Sequence, residues 1–257
     1  MATGEHPSRQ VSIETPRLLL RAAQPEDAVR LHEAFSDPEA MRYWSSPPDA
    51  DLSQTKLWIR SMMESPQNGL TDFVICLKDL SSLDEPTPIG KIGIYSPLPS
   101  NEIGFLIARA HWHRGLGHEA LSYMLEYLFS IKSHVAPEPG ARAPATQSHP
   151  RTRTEPLTEA HTVLTLTERS SEWRYPSITA DADPRNSASI GLLKKVGFAG
   201  SGYLERSMQI GGEGGEWVDS LYLKLEREAW VSRSTDERNC NKGDMPVSRF
   251  VPMSTPV

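Results

Sequence analysis

The sequence predicts an α+β domain built on a mostly antiparallel sheet, and three patterns carry that prediction. Three strand-like segments, FVICLK (73–78), PIGKIGIYS (88–96) and NEIGFLIA (101–108), are joined by short polar connections, which favours an antiparallel meander. Apolar residues then recur at the spacing of a helix with one buried face: Leu121, Met124, Leu125, Leu128 and Phe129. Near the C-terminus, GYLERSMQI and WVDSLYLKL flank the glycine-rich IGGEGGE and predict a closing hairpin.

Local signals predict the remaining elements in chain order. ETPRLLLRAA (14–23) predicts a first strand, and QPEDAVRLHEAFSDPEAMRYW (24–44) predicts two short helices separated at Asp37 and Pro38. LSQTKLWIRSMME (52–64) carries apolar residues on helical spacing. RYPSITAD (174–181) predicts a strand, and DPRNSASIGLLKKVGF (183–198) predicts a helix that ends at Gly197.

Composition and charge narrow the class of protein. The chain has 257 residues and a net charge of −6, so it lacks the overall basic charge that draws proteins to nucleic acid or anionic lipid. Cys76 lies in an apolar run and Cys240 in a polar one, which indicates neither a disulfide framework nor a metal cluster. No secretory signal or run of eighteen apolar residues is evident. We therefore expect an intracellular protein, cytoplasmic by default, with no membrane segment.

The stretch WHRGLGHEA (112–120) has the spacing G-x-G-x-x-A, which is one spelling of the dinucleotide-binding fingerprint. That site also needs an acidic residue at the end of a strand about 20 residues later. Here that offset falls near Glu138 inside APEPG, where no strand can form. A P-loop is excluded because no Gly-Lys-Ser/Thr follows the glycines. Two interpretations remain open: an ordinary turn, or a turn whose backbone amides and helix N-terminus bind a pyrophosphate.

Three histidines surround this turn and raise the question of a metal. His111, His113 and His118 have no fourth ligand at a useful spacing, so we predict no metal site. Beside a pyrophosphate, the histidines and Arg114 are more simply explained as phosphate partners. We interpret three tryptophans as core residues or pocket walls: Trp44, Trp58 and Trp112.

Four blocks in a fixed order carry a family resemblance: ETPRLLLR, DPEAMRYW, EIGFLIARAHWHRGLGHEAL and NSASIGLLKKVGF. Together they resemble the GNAT superfamily of acetyl-coenzyme A dependent N-acyltransferases, and in particular its ribosomal-protein N-terminal acetyltransferase (RimJ/RimL-like) branch. The resemblance implies three layers, with a mixed sheet that splays in the middle and helices on both faces. It spans residues 12–231 as one domain and treats 133–172 as a largely disordered, proline-rich insertion. Residues 1–11 and 232–257 are then expected to be disordered ends.

The resemblance also implies acetyl-coenzyme A as co-substrate and suggests where it binds. The pantetheine arm would lie along the backbone of Phe105, Leu106 and Ile107. Asn186 would help hold the cofactor, although the same residue would also serve as an ordinary helix N-cap. The pyrophosphate would be held by the turn residues His113, Arg114, Gly115, Leu116, Gly117 and His118.

Two residues are implied in catalysis, each with a simpler alternative. Glu102 would act as the general base, and its alternative is a solvated residue at a strand edge. Ser189 would donate a hydrogen bond to the thioester sulfur, and its alternative is a small residue that packs near the sheet. Many relatives place a tyrosine near that sulfur as general acid, and this chain has Leu193 at the position.

The function that follows is acetyl transfer to a primary amine, either a protein N-terminus or a small molecule. The amine would bind between the early helices and the last hairpin, with Trp44, Pro47 and Pro48 near the entrance. The alternative is a catalytically inactive domain that binds acetyl-coenzyme A or a partner, which Leu193 and the proline-rich insertion motivate. No nucleic-acid or membrane partner is expected, and the chain would be a monomer or homodimer.

Overall fold

The computed structural model describes residues 11–68, 70–79, 81, 85–96, 100–132, 173–212, 214–240 and 250–252. The predicted insertion at 133–172 and the first ten residues lie outside this part of the chain. Within it, no helix is long and apolar enough to cross a membrane.

One sheet of nine strands runs through the described part of the chain, in the order β7-β8-β6-β5-β4-β3-β2-β1-β9. The strands are β1 (Val11–Glu14), β2 (Leu18–Arg21), β3 (Thr71–Leu77), β4 (Thr87–Ser96), β5 (Glu102–Ile107), β6 (Ser177–Ala182), β7 (Ala199–Ile210), β8 (Glu216–Glu226) and β9 (Phe250–Pro252). The α-helices are α1 (Asp27–Phe35), α2 (Leu52–Glu64), α3 (Leu116–Ser130), α4 (Ser187–Val196) and α5 (Arg227–Cys240). Short 3-10 helices cover Ser65–Asn68 and Arg109–His111.

The middle of the sheet is splayed. Strands β3, β4 and β5 form the predicted antiparallel meander, and β7 and β8 form the predicted hairpin. Between them, β5 and β6 run parallel, and among the described residues they pair at one position, Glu102 with Thr179. The Thr179 amide donates to the Asn101 carbonyl at 3.2 Å and its hydroxyl donates to the Ser100 carbonyl at 2.6 Å. The strands are thus joined at the start of β5 and separate toward Ile107.

Helices cover both faces of the sheet, which gives the three layers that the sequence predicts. Side chains alternate along β5, so Ile103 and Ile107 join the core under α3 and α4, whereas Leu106 packs under α1 and α2. The five predicted core residues of α3 are all buried: Leu121, Met124, Leu125, Leu128 and Phe129. The helical periodicity therefore identified the buried face of α3 correctly.

Two predictions for the N-terminal region need correction. The first strand is split, because the Thr15 hydroxyl accepts from the Leu18 amide at 2.8 Å and turns the chain between β1 and β2. The second short helix predicted after Asp37 is a series of turns. There the Asp37 carboxylate accepts from the Glu39 amide at 2.9 Å, which favours a turn over a helix. Two apolar residues of the predicted helices are exposed, Val29 at 66% and Leu57 at 62%.

The C-terminal region differs from the disordered tail predicted from residue 232. Helix α5 continues to Cys240, and β9 pairs antiparallel with β1. Long-range contacts anchor α5, since the Trp230 indole donates to Glu126 at 3.0 Å and Arg227 Nε donates to the Phe129 carbonyl at 3.0 Å. Its polar composition gave no local signal of these contacts.

Candidate functional site

The splayed edge of β5 exposes part of its backbone toward the gap. The Ala108 amide donates to the Ile89 carbonyl of β4 at 2.8 Å. On the other side of β5, the Asn101 carbonyl accepts from the Thr179 amide of β6. Because backbone groups alternate sides along a strand, the groups of Phe105 and Ile107 face the gap. The Ile107 carbonyl already accepts from the Trp112 indole at 2.7 Å. The backbone amide and carbonyl of Phe105 and the amide of Ile107 are therefore oriented toward the gap.

The predicted contact between the Leu106 backbone and the pantetheine arm needs correction. By the same alternation its amide and carbonyl face β4, where it is the partner of Lys91, so its backbone is not directed into the gap. Its side chain is buried under α1 and α2. The sequence could not settle which side each residue presents, because that depends on the strand partners.

The predicted turn residues come together directly after β5. Gly115 has a positive φ of 75° and is the N-cap of α3, which begins at Leu116. A positive φ suits glycine, and His113 adopts one as well, at 57°. The first amides of a helix have no acceptor within the helix and lie at the positive end of its dipole. The corner between β5 and α3 therefore has the geometry of an anion-binding turn.

Gly117 faces the gap between the two halves of the sheet. A Cβ built on Gly117 would lie 3.2 Å from Leu192 Cδ2 of α4 and 3.5 Å from Ile107 Cδ1 of β5. A larger side chain here would project into the space between β5 and α4. Glycine at this position therefore keeps the mouth of the gap open beside the turn.

A brace that sequence reasoning missed holds the turn in place. Glu119, in the first turn of α3, accepts from the Arg17 amide at 2.8 Å, from Arg17 Nε at 2.6 Å and from the Thr15 hydroxyl at 2.5 Å. Arg17 Nη1 also donates to the Arg114 carbonyl at 2.9 Å. Burial alone would raise the pKa of Glu119, but the hydrogen bonds from Thr15 and Arg17 and the Arg17 charge outweigh it and lower that pKa. The segment that connects β1 to β2 is thus tied to both sides of the turn.

The histidine and arginine side chains of the turn are partly engaged with each other. Arg114 Nη1 lies 3.2 Å from His111 Nδ1. Burial and the nearby Arg114 charge lower the pKa of His111, so His111 is mainly neutral at pH 7. Among the described residues, no group of three His, Cys, Asp or Glu side chains is arranged to hold a metal ion.

Helix α4 supplies the opposite wall, with Asn186 just before it and Ser189 in its first turn. The Asn186 side chain accepts from the Ser189 amide at 3.1 Å, so Asn186 is the N-cap of α4. Leu193 is only 2% exposed and belongs to the core. The position where many relatives would carry a tyrosine therefore contributes packing and no proton donor.

Glu102 lies on the other face of the sheet, at the end of β5 that is joined to β6. It shares the α1 and α2 face with Leu106, because the two are an even number of residues apart on β5, whereas Ser189 lies on α4. Glu102 is half-buried. Burial raises the pKa of the neighbouring Tyr95, and the negative charges of Asp72 and Glu102 raise it further. The two predicted catalytic residues thus lie on opposite faces of the sheet, and their roles in catalysis stay predictions.

Aromatic side chains and a buried ion pair line the sheet beside Glu102. The ring of Trp44 lies edge-on to Tyr95 at 5.9 Å and to Trp58 at 6.2 Å. Lys91 Nζ lies 3.6 Å from Asp72 Oδ1, and both side chains are almost fully buried. Burial lowers the pKa of Lys91, and Asp72 opposes that shift. No sequence signal marks this pair, because its members lie on neighbouring strands.

The closing hairpin meets the segment between α1 and α2 at the predicted entrance. The Gly211 amide donates to the Trp44 carbonyl at 2.9 Å, and a Cβ on Gly212 would lie 2.8 Å from Pro47 Cδ. On the same side, the Tyr43 hydroxyl donates to the Arg185 carbonyl at 3.3 Å. The hairpin tip and the early helical segment therefore form a continuous wall next to Tyr95 and Trp44.

Comparisons with known proteins agree with this architecture. The model of the acetyltransferase (GNAT) domain matches residues 17–199. The chain is 31% identical to the uncharacterized N-acetyltransferase p20 of Bacillus licheniformis over 137 residues, which cover 49% of this chain and 74% of p20.

Solved structures show the same fold at low sequence identity. A GNAT-family acetyltransferase from Bacillus anthracis superposes with a TM-score of 0.58 at 20% identity, covering 84% of this chain and 99% of its own. A spermidine N-acetyltransferase from Vibrio cholerae, solved with CoA and spermine, superposes with a TM-score of 0.55 at 17% identity. The match covers 84% of this chain and 99% of that chain. RimL, a ribosomal L7/L12 alpha-N-protein acetyltransferase, superposes with a TM-score of 0.56 at 12% identity, and the match covers 88% of this chain and 99% of RimL. With the family model matched over most of the chain, the protein belongs to the GNAT family of acetyltransferases.

Proposed function

We propose that the protein transfers an acetyl group from acetyl-coenzyme A to a primary amine by direct attack. The observation that carries this proposal is the gap between β5 and β6, which opens beside a glycine turn at a helix N-terminus. The unpaired edge of β5 suits a pantetheine arm, which carries amide groups of its own. Solved neighbours of the same fold contain CoA or acetyl-CoA. The coenzyme supplies a thioester, and the remaining chemistry depends on the side chains around the gap.

The backbone and the turn would hold the two ends of the coenzyme. The Phe105 groups and the Ile107 amide are available to the pantetheine, and residues 113–118 surround the expected position of the pyrophosphate. Asn186 acts here by capping α4, because its side-chain oxygen is already bonded to the Ser189 amide. It would hold the cofactor wall in place while the turn binds the phosphates.

Glu102 is the group proposed to accept the proton that the amine loses. A carboxylate with an ordinary pKa of about 4.3 is a weak base at pH 7. Glu102 would accept the proton directly or through one water molecule that relays it. The amine nitrogen attacks the carbonyl carbon, the C–S bond breaks with its electron pair on sulfur, and the ammonium proton passes to Glu102.

Ser189 would donate a hydrogen bond to the departing sulfur. A serine hydroxyl is a weak acid, so its contribution is to position and partly neutralise the thiolate. Leu193 has no proton to give, and a thiolate with a conjugate pKa near 8.5 can take its proton from water. The reaction is therefore chemically complete without the tyrosine found in many relatives.

The acceptor is proposed to be a protein N-terminus or a small-molecule amine. Both classes occur among proteins of this fold, as the spermidine acetyltransferase and RimL illustrate. In this chain the acceptor would reach the gap past the wall that the Trp44 segment forms with the hairpin tip.

A second candidate function is a domain that binds acetyl-coenzyme A without turnover, and the buried Leu193 favours it. An assay of thiol release with a panel of amines separates the two. The panel should include a polyamine, short peptides with free N-termini and simple amino compounds, alongside a binding isotherm for acetyl-coenzyme A. Turnover of any amine supports the enzyme, whereas tight binding with no turnover for every amine favours the second function.

A further inference from the structure

Tyr95 lies near the end of β4 on the face covered by α1 and α2. Its ring covers Gly104 of β5, because a Cβ built on Gly104 would lie 1.9 Å from Tyr95 Cε2 and 3.1 Å from its Cζ. Any residue larger than glycine would displace the ring. The ring of Tyr95 therefore reaches across from β4 to the strand that borders the gap.

The Tyr95 hydroxyl is buried and has no hydrogen-bond partner among the described residues. A buried hydroxyl without a partner costs free energy, so most such groups in proteins are paired or reserved for a ligand. Burial and the neighbouring carboxylates raise the pKa of Tyr95, so the hydroxyl stays neutral at pH 7. It is then able to accept one hydrogen bond and to donate another.

The surroundings of this hydroxyl suit an amino group. Glu102 contributes a nearby negative charge on the same face of the sheet, and Trp44 packs against the ring at 5.9 Å. The Trp44 segment forms the wall with the hairpin tip, and the Tyr95 ring lies between Trp44 and Gly104 of β5. Carboxylate, hydroxyl and aromatic faces together are groups that bind amines.

We propose that the Tyr95 hydroxyl and the Glu102 carboxylate hold the acceptor amine between them, with the Tyr95 oxygen accepting one N–H. This inference rests on the proposed acetyl transfer and assigns a substrate-contacting residue to it. The amine lone pair then faces the thioester carbonyl carbon, and the C–S bond breaks toward sulfur. The proton released by nitrogen goes to Glu102, while Tyr95 keeps its own proton. Tyr95 thus orients the nucleophile and does not replace the general acid absent at Leu193.

The substitution Tyr95→Phe tests this role because it removes only the hydroxyl. We expect kcat/KM for the amine to fall about tenfold, which corresponds to one hydrogen bond. The Kd for acetyl-coenzyme A should stay unchanged. The melting temperature should stay equal or rise, because a buried hydroxyl without a partner has been removed.

Tyr127→Phe is the matched control. Tyr127 is also partly buried, but it lies on α3 at the opposite face, with its ring 5.8 Å from Phe73. We expect this variant to keep the kcat/KM of the wild type. Gly104→Ala is a second test, since it should displace the Tyr95 ring and reduce kcat/KM to a similar extent while lowering the melting temperature.

The possible outcomes separate this inference from the proposed function. If the wild type is active and Tyr95→Phe keeps its kcat/KM, the role of Tyr95 is overturned and acetyl transfer stands. A Tyr95→Phe variant that loses activity together with stability would show that the hydroxyl has a structural partner, which also overturns the role. If the wild type binds acetyl-coenzyme A but acetylates no amine, the proposed function fails, and this inference fails with it.

Discussion

In the proposed reaction Glu102 takes a proton from an ammonium group, and at the residue scale this role depends on where the side chain lies. Glu102 begins β5 at the point where β5 and β6 are still paired, so its backbone is fixed while its side chain faces α1 and α2. The side chain is half-buried and shares its face of the sheet with Tyr95. A carboxylate so placed is suited to accept a proton during the reaction.

Glu102→Gln should lower kcat/KM for the amine about 100-fold at pH 7, within the usual range for loss of a general base. The difference in kcat/KM between the variant and the wild type should shrink by pH 9, because the neutral amine becomes abundant in solution and no longer needs the base. A pH profile of kcat/KM for both proteins measures this. Glu14→Gln, on the exposed side of β1, is the control and should follow the wild type. A constant ratio between the Glu102 variant and the wild type across that range would remove Glu102 from the proton transfer.

Sequence reasoning at this scale succeeded where the signal was local. The turn at Gly115 and Gly117 was predicted because a strand, a tight turn and a helix follow one another in the chain, and the N-cap at Asn186 because a cap precedes its own helix. The contacts of these residues with the coenzyme stay predictions. The assignment of the Leu106 backbone was wrong because the direction of a backbone amide depends on the partner strand. Tyr95 was missed because its position over Gly104 arises from pairing between β4 and β5.

At the element scale, the turn depends on the segment that connects β1 to β2. Glu119 and Arg17 are 102 residues apart in the chain, so no local pattern links them. The ETPRLLLR block predicted a strand correctly, but its contact with α3 required the three-dimensional fold. The brace holds the first turn of α3 against the sheet and thereby fixes the directions of the amides in the turn.

Glu119→Gln should lower the free energy of unfolding by about 1 to 2 kcal/mol at pH 7, a modest value because solvent screens the half-exposed Arg17. The same change should weaken acetyl-coenzyme A binding. The folded pKa of Glu119 is depressed, so the stabilisation is present above the unfolded pKa and is lost as pH falls through the folded pKa.

Urea unfolding of both proteins at pH 7 and below pH 4 measures the effect of Glu119. The difference between wild type and variant should be largest at pH 7 and should shrink in acid. Glu126→Gln, further along α3, serves as a control and should leave coenzyme affinity unchanged. An equal difference at both pH values would contradict the ionic part of the brace.

At the scale of the whole molecule, the fold could be predicted because its strands and helices carry clear periodic patterns. The splay came from the family resemblance, since no single segment encodes it, and the order of the strands was not predicted. Helix α5 was missed because contacts of Trp230 and Arg227 with α3 hold it, and most of its other residues are polar. Polar helices of this kind cannot be told from tails by composition alone.

The connection from α3 to β6 explains how a long insertion fits the domain. Lys132 and Trp173, on either side of residues 133–172, pair with each other in an antiparallel bridge. The Arg174 amide also donates to the Ile131 carbonyl at 3.0 Å. The two ends of the insertion are therefore adjacent, so the domain does not need the intervening residues to bring α3 and β6 together.

Deleting residues 134–157 should leave the cooperative melt and the melting temperature nearly unchanged, because surface loops tolerate large changes in length. Thermal unfolding followed by circular dichroism measures this. Loss of the cooperative transition would show that the segment takes part in the fold of the domain.

The binding of acetyl-coenzyme A to Gly117 variants tests the central claim most directly. Gly117→Glu places a carboxylate at the mouth of the gap, and like-charge repulsion should weaken binding by at least about 100-fold in an isothermal titration. Gly191→Glu is the matched control, because a Cβ at Gly191 has no neighbour within 4 Å, and it should bind as the wild type does. A Gly117→Glu protein that melts cooperatively and binds acetyl-coenzyme A with wild-type affinity would contradict the assignment of the gap.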